Sequence, residues 1–182
     1  MSKAFFEHYT YEDYCKWEGD WELIDGHPYA MAPSPMKTHQ SIAYEIARIV
    51  GNEVEDCEDC EVLGEVDYKI NSDTVLRPDV VLTCGEINEK HLSKAPKIVF
   101  EVISPATAKR DEVYKFEIYE EEGVKYYCLV YPDELKVKIY KLKDNKYQKE
   151  GDFTYEKYHF KDIECEVEID FQKVFKRFTK KV

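Results

Sequence analysis

Ile42, Ile46, Ile49 and Val50 recur at helical spacing, and the pattern predicts an amphipathic helix over about residues 35–56. Ser34 before Pro35 supplies an N-cap and a first-turn proline, while His39 and Glu45 border the apolar stripe. Upstream, Trp21-Glu22-Leu23-Ile24 and His27-Pro28-Tyr29-Ala30-Met31 flank Asp25-Gly26, a strong hairpin signal. Pro28 makes the second strand an edge strand or one that begins late. Thr10 with Asp13 resembles a capping box and opens a short helix to about Glu18. Strand-like segments follow near 61–70, 79–83 and 97–103, and a second helix runs from Thr107 to Glu122 with Gly123 as its C-cap. Lys125 to Tyr131 is a strand halted by Pro132-Asp133. Leu135 to Leu142 alternates apolar residues with Lys, so one face is solvated. Asp144-Asn145 turns the chain into a strand near 146–150, and the tail after Asp170 reads as a short helix with Phe171, Val174, Phe175 and Phe178 on one face. The order predicts an α/β fold: a central mixed β-sheet flanked by helices, with an N-terminal β-hairpin and a C-terminal β-meander.

The length of 182 residues and a hydrophobic fraction of 43% suit one domain over 1–182, with no repeat or linker. A chain of that size buries about 70% of its unfolded surface and needs no metal or disulfide to hold its core. The net charge of −12 opposes adhesion to DNA through a basic patch, since that affinity comes from Lys and Arg at phosphates. It leaves room for a nuclease, because a divalent cation can join phosphate to carboxylates. No apolar run reaches the roughly 18 residues of a membrane span, and Met1-Ser2-Lys3-Ala4-Phe5-Phe6 has no leader pattern. A cytoplasmic protein is expected, with all six cysteines reduced. Cys57-Glu58-Asp59-Cys60 has metal or redox spacing, but Cys15, Cys84, Cys128 and Cys165 are single in the sequence. An exposed acidic loop is the expected reading, with Cys128 a small core residue.

Glu101 stands inside Ile98-Val99-Phe100-Glu101-Val102-Ile103, an apolar run that reads as a buried strand. An ionised carboxylate there is unfavourable by several kcal/mol unless it meets a cation, so either a core Arg or Lys or a metal ion is expected beside it. Alternation puts Glu101 on the face of Val99 and Ile103. Asp79 follows Arg77-Pro78 and starts the strand Asp79-Val80-Val81-Leu82. As the first residue of a strand it can face a cleft at a sheet end, although a turn residue after Pro is the simpler account of Asp79 alone. Two carboxylates on neighbouring strands can share Mg²⁺, which favours oxygen ligands.

Pro78-Asp79, then Glu101-Val102-Ile103-Ser104-Pro105, resembles the PD-(D/E)XK nuclease superfamily and, more narrowly, the Uma-type restriction-endonuclease family. Trp21-Glu22-Leu23-Ile24-Asp25-Gly26, then Met31, Pro33, His39, Asp111, Lys115, Tyr119, Gly123-Val124-Lys125-Tyr126-Tyr127 and Pro132-Asp133 extend the match over roughly 10–142, in order. No single motif is specific; the ordered set is. The resemblance implies a restriction-endonuclease-like fold, a Mg²⁺ or Mn²⁺ site, and metal-dependent hydrolysis of DNA, with a homodimer expected because double-strand cutting needs two sites.

The chain departs from the superfamily at one position. A lysine is expected two residues after the glutamate, and Ile103 stands there. Lys115 is the candidate replacement. It lies four residues from both Asp111 and Tyr119 on one helix face, where it would orient water or stabilise developing charge; an ordinary surface pair with Asp111 is the alternative. Lys109 is a weaker substitute. Glu22 would be an auxiliary metal ligand or an edge-strand surface residue, with Glu45 competing for the ligand role. His39 would bond phosphate or a carboxylate, or simply sit satisfied at a helix start. The expected activity is therefore that of a divalent-metal endodeoxyribonuclease in which Asp79, Glu101 and Glu22 hold metal and Lys115 positions water. The rivals are a catalytically degenerate nuclease-fold binding module and a hydrolase of small phosphoesters.

Overall fold

A computed structural model describes residues 7–31 and 36–179. The expected cap Ser34-Pro35 and the family position Pro33 lie outside those residues. In chain order the elements begin with α1 (Tyr11–Tyr14), β1 (Trp21–Ile24), β2 (His27–Ala30), α2 (Lys37–Glu53) and β3 (Cys60–Gly64). They continue with β4 (Tyr68–Lys69), β5 (Val75–Leu76), β6 (Val80–Cys84), β7 (Ile98–Val102), α3 (Lys115–Glu121) and β8 (Tyr126–Tyr131). β9 (Lys136–Lys143), β10 (Lys146–Phe153), β11 (Lys157–Phe160), β12 (Val167–Asp170) and α4 (Phe171–Phe175) complete the chain.

The central sheet has six strands in the order β10-β9-β8-β7-β6-β3. β7 and β8 are parallel and the other neighbours antiparallel, so the sheet is mixed. β8, β9 and β10 form the expected meander. The N-terminal hairpin β1–β2 joins a four-stranded sheet in the order β2-β1-β5-β4, and Pro28 sits on its edge strand, where a missing N–H costs least.

Strand alternation divides the core in two. Val80, Leu82, Ile98, Phe100, Val102 and Cys128 point to the side covered by Ile42, Ile46, Ile49 and Val50 of α2 and by the aromatic residues of β11 and α4. Val81, Val99, Tyr127 and Leu129 point the other way, toward Tyr119 of α3, Ile24 and Leu76. The parallel β7–β8 pair needs a crossover, and α3 is its helix, lying over this second face. Glu101 shares that face, and so meets α3.

Several sequence expectations change here. The segment expected as one strand over 61–70 splits into β3 and β4, which belong to different sheets; Glu65 between them has φ of +50° and turns the backbone out of register. β11 and β12 form a separate two-stranded sheet absent from the sequence expectation, although Lys157-Tyr158-His159-Phe160 and Val167-Glu168-Ile169-Asp170 both alternate polar and apolar residues. The second helix opens with a π-helical turn, Arg110–Tyr114, before α3. Two of the single cysteines are not isolated: against the expectation of six reduced cysteines, the structure pairs Cys165 with Cys57 and Cys84 with Cys60 as disulfides, because the fold brings their chain segments to one place, and Cys15 and Cys128 stay free. Among the described residues, no helix is long and apolar enough to cross a membrane.

Candidate metal and catalytic site

Val80 pairs with Phe100 across the antiparallel β6–β7 ladder, so one further step of register sets Asp79 opposite Glu101. The side chains and backbone interlock there. The Val102 N–H donates to Asp79 Oδ2 at 2.7 Å, and the Asp79 N–H points at Glu101 Oε2 at 3.4 Å. His39 Nε2 from α2 also stands 3.3 Å from Asp79 Oδ2. Both contacts fall on Oδ2, which leaves Asp79 Oδ1 for a ligand. The Glu101 carboxylate divides similarly. Oε1 accepts from Lys115 Nζ at 2.9 Å and from the Tyr119 hydroxyl at 3.0 Å, while Oε2, on the Asp79 side, has only the long contact just given.

Lys115 is the hub. Its ammonium lies 2.6 Å from Glu22 Oε1, 2.9 Å from Glu101 Oε1 and 3.3 Å from Asp111 Oδ1, with a side-chain exposure of 2%. The surface-pair alternative for Asp111–Lys115 is thus excluded, since both residues are buried. The π turn bends the start of the helix, with the Lys115 N–H bonding to the Arg110 carbonyl. It aims Arg110 at Glu22, Nε to Oε2 at 3.1 Å. Tyr127 locks the turn from the sheet, donating to the Asp111 carbonyl at 2.8 Å.

Asp79, Glu101, Lys115, Asp111, Arg110 and His39 line a cavity of about 540 Å³. Glu22 does not line it. It is wholly buried behind Lys115, accepting the Arg77 N–H at 2.9 Å on the oxygen that Lys115 also holds. The expected auxiliary metal ligand is therefore placed as the counter-ion of Lys115 and Arg110. Glu45 pairs with Arg48 on the helix surface, and Lys109 leans over the Tyr114 ring; neither reaches the cavity wall. Arg110 was not singled out in the sequence. A helix wheel with constant pitch cannot bring it onto the Lys115 side, because the extra residue of the π turn alters the register.

Four carboxyl groups (Glu22, Asp79, Glu101 and Asp111) stand around two permanent cations, Lys115 and Arg110, an excess of two acids at a place where every acid but Asp79 is buried. Burial drives Glu101 well above the usual carboxylate range; Lys115 opposes the rise, while Asp111, Asp79 and Glu22 add to it. Asp111 is raised too, first by burial. Burial alone would lower Lys115, but the acids around it hold it well above its ordinary value, so it stays an ammonium. For His39, burial works downward and the Asp79 carboxylate outweighs it, giving a net rise. Glu22 Oε2 and Arg110 Nε face each other at 3.1 Å as an ion pair, and His39 Nδ1 is buried with no hydrogen-bond partner. The free oxygens of Asp79 and Glu101 in an acid-rich wall suit a hard divalent cation such as Mg²⁺ or Mn²⁺.

Residues 9–158 match the Uma2 family, described as "Putative restriction endonuclease". "Uncharacterized protein slr1290" of Synechocystis is 31% identical over 144 residues, spanning 74% of each chain. A crystal structure titled as "a putative nuclease belonging to DUF820" from Anabaena variabilis superposes with a TM-score of 0.73 at 16% identity, covering 92% of this chain and 97% of that one. It establishes the fold.

Proposed function

The chain belongs to the Uma2 family, and from that membership we propose that it is a divalent-metal-dependent endodeoxyribonuclease. The observation that carries the proposal is the opposed pair Asp79–Glu101 at a cavity wall, beside a buried cluster that holds more acids than permanent cations. Asp79, through Oδ1, and Glu101, through Oε2, would hold the cation. When bound, such an ion lowers the pKa of a water and screens the charge on a phosphodiester.

The chain's own groups do the rest. His39 and the Val102 N–H fix the Asp79 carboxylate, so its free oxygen has one orientation. Tyr119 does the same for Glu101. Lys115 supplies a cation at the cavity wall that can hold an attacking water or stabilise the charge growing on phosphate, the task the superfamily gives to the lysine replaced by Ile103. Glu22, Asp111 and Arg110 keep that ammonium in place from behind. Two copies acting on opposite strands would give a double-strand cut.

The test is plasmid nicking or cleavage with Mg²⁺ or Mn²⁺, wild type beside Asp79→Ala. The expected result is cleavage by the wild type alone, suppressed by chelator. No cleavage of supercoiled, linear or single-stranded DNA or of RNA overturns it.

A second reading, a non-cutting binding module of the same fold, draws on the cavity rim. Asp20, Glu65 and Asp133 also line the opening and repel phosphate. Asp79-dependent Mn²⁺ uptake without turnover of any nucleic acid would favour it.

A further inference from the structure

The sequence holds a Cys57-x-x-Cys60 element that the carboxylate site does not use. The fold adds two cysteines to it from distant parts of the chain. Cys84 ends β6 and is the direct cross-strand partner of Cys60 on β3. Cys165 precedes β12 and lies against Cys57 across 108 residues of sequence. The structure pairs Cys57 with Cys165 and Cys60 with Cys84 as disulfides; the sulfurs of Cys57, Cys60 and Cys165 all lie within 4.8 Å of one another, and Cys84 joins this group of three through Cys60. Cys57, Cys60 and Cys165 pack at the border of the core face covered by α2, and Cys84 is buried at the end of β6.

We propose that these four thiolates hold one structural zinc-class ion. Two pairwise disulfides, Cys57–Cys165 and Cys60–Cys84, need only two separate contacts. They require neither the C-x-x-C spacing nor the mutual approach of Cys57, Cys60 and Cys165. A tetrahedral thiolate site uses both: zinc–sulfur bonds of about 2.3 Å put neighbouring sulfurs roughly 3.8 Å apart, inside the 4.8 Å that spans Cys57, Cys60 and Cys165. The turn that carries Cys57 and Cys60 is closed by the Cys60 N–H bonding back to the Cys57 carbonyl, and the Gly85 N–H bonds to the Asp59 carbonyl. Gly85 has φ of +66°, which lets the chain leave immediately after Cys84. Binding would release the thiol protons to solvent and leave four sulfur–metal bonds.

The site ties the end of α2, the sheet's edge strand β3, the end of β6 and the segment entering β12. It is separate from the carboxylates. Asp79 precedes β6 and Cys84 ends it, about 16 Å away along an extended strand. Its donors are soft where those of Asp79 and Glu101 are hard, so the two sites select different ions.

The test uses the full chain, purified with reductant and without chelator. Mass spectrometry of the metal content is expected to give one zinc per chain. Denaturation with chelator should then expose six reactive thiols. Cobalt(II) replacing the zinc should produce thiolate charge-transfer absorption. Cys57→Ser and Cys84→Ser should each cut bound zinc at least tenfold, whereas Cys15→Ser and Asp79→Ala should retain it. The wild-type metal content and thiol count decide the matter even if a cysteine variant fails to fold. Only two reactive thiols under those conditions would mean that disulfides occupy the cluster, and overturns the proposal. Six thiols with no zinc, and no cobalt absorption on titration, overturns it as well.

Discussion

The two faces of β7 show the same sheet solving two problems. Phe100 and Val102 face α2 in an apolar layer with Ile42, Ile46 and Val130. Glu101 between them faces α3, where Lys115, Tyr119 and Asp111 surround it with charge and hydroxyls. The first face is held by area removed from water and by close packing. The second holds buried charge at a loss of stability, and unreleased negative charge of that kind is the property a cation site uses. Substitutions should separate the faces: on one side they leave cavities, on the other unbalanced charge.

The largest effect is expected at the hub. Lys115→Met strips the ammonium from Glu22, Glu101 and Asp111 and should lower stability by about 3–5 kcal/mol in urea unfolding, with loss of cleavage. Ile46→Ala on the opposite face should lower stability by about 3 kcal/mol through a cavity, with cleavage per folded molecule unchanged. Loss of metal-dependent activity in Ile46→Ala, measured well below its melting point, would merge the two faces and weaken the distinction.

A smaller effect comes with pH. Glu101 is raised well above its ordinary 4.5 in the fold, so between 4.5 and its raised value the folded chain holds a proton that the unfolded chain has lost. Stability from this group is present at low pH and falls as pH rises through that window. Added Mn²⁺ should reverse the fall at neutral pH, by about 2.7 kcal/mol at a hundredfold excess over its Kd. Melting temperatures at acid and neutral pH, with and without Mn²⁺, measure both parts.

The smallest effect lies off both faces. Glu86 is held at about 2, where burial works upward and is outweighed by N–H donors from Asn88, Ser93 and Lys94 and by the Ser93 hydroxyl. Its contribution is present above about 4.5 and disappears as pH falls toward 2. After solvent screening, Glu86→Gln should remove under ~1 kcal/mol at neutral pH, measured by urea unfolding.

The faces also differ in how far they can be read from the sequence. The apolar stripe Ile42, Ile46, Ile49 and Val50 marks α2 and its buried side directly, because a regular helix repeats its pattern. Glu101 is legible for the opposite reason, as an acid breaking an apolar strand. The spacing of Lys115 from Asp111 and Tyr119 identifies a shared helix face, but not that Glu22 lies behind it. Glu22 looks like an edge-strand residue until β5 pairs with β1 and encloses it, and β5 is only two residues long. Arg110 is hidden by the π turn, and the cysteine cluster by the 108 residues between Cys57 and Cys165. For Glu22 and the cysteines the missing information is a contact between distant segments, and for Arg110 it is a local break in helical register; regular periodicity encodes neither.

The central claim is that the surplus charge on the α3 face is a divalent-cation site built on Asp79 and Glu101. Calorimetric titration with Mn²⁺ at neutral pH tests it most directly, using wild type and Asp79→Ala with melting curves to show that both are folded. The account predicts saturable binding by the wild type with proton release to buffer, and its loss in Asp79→Ala. Equal Mn²⁺ binding by the two chains, or none by the folded wild type, would contradict it.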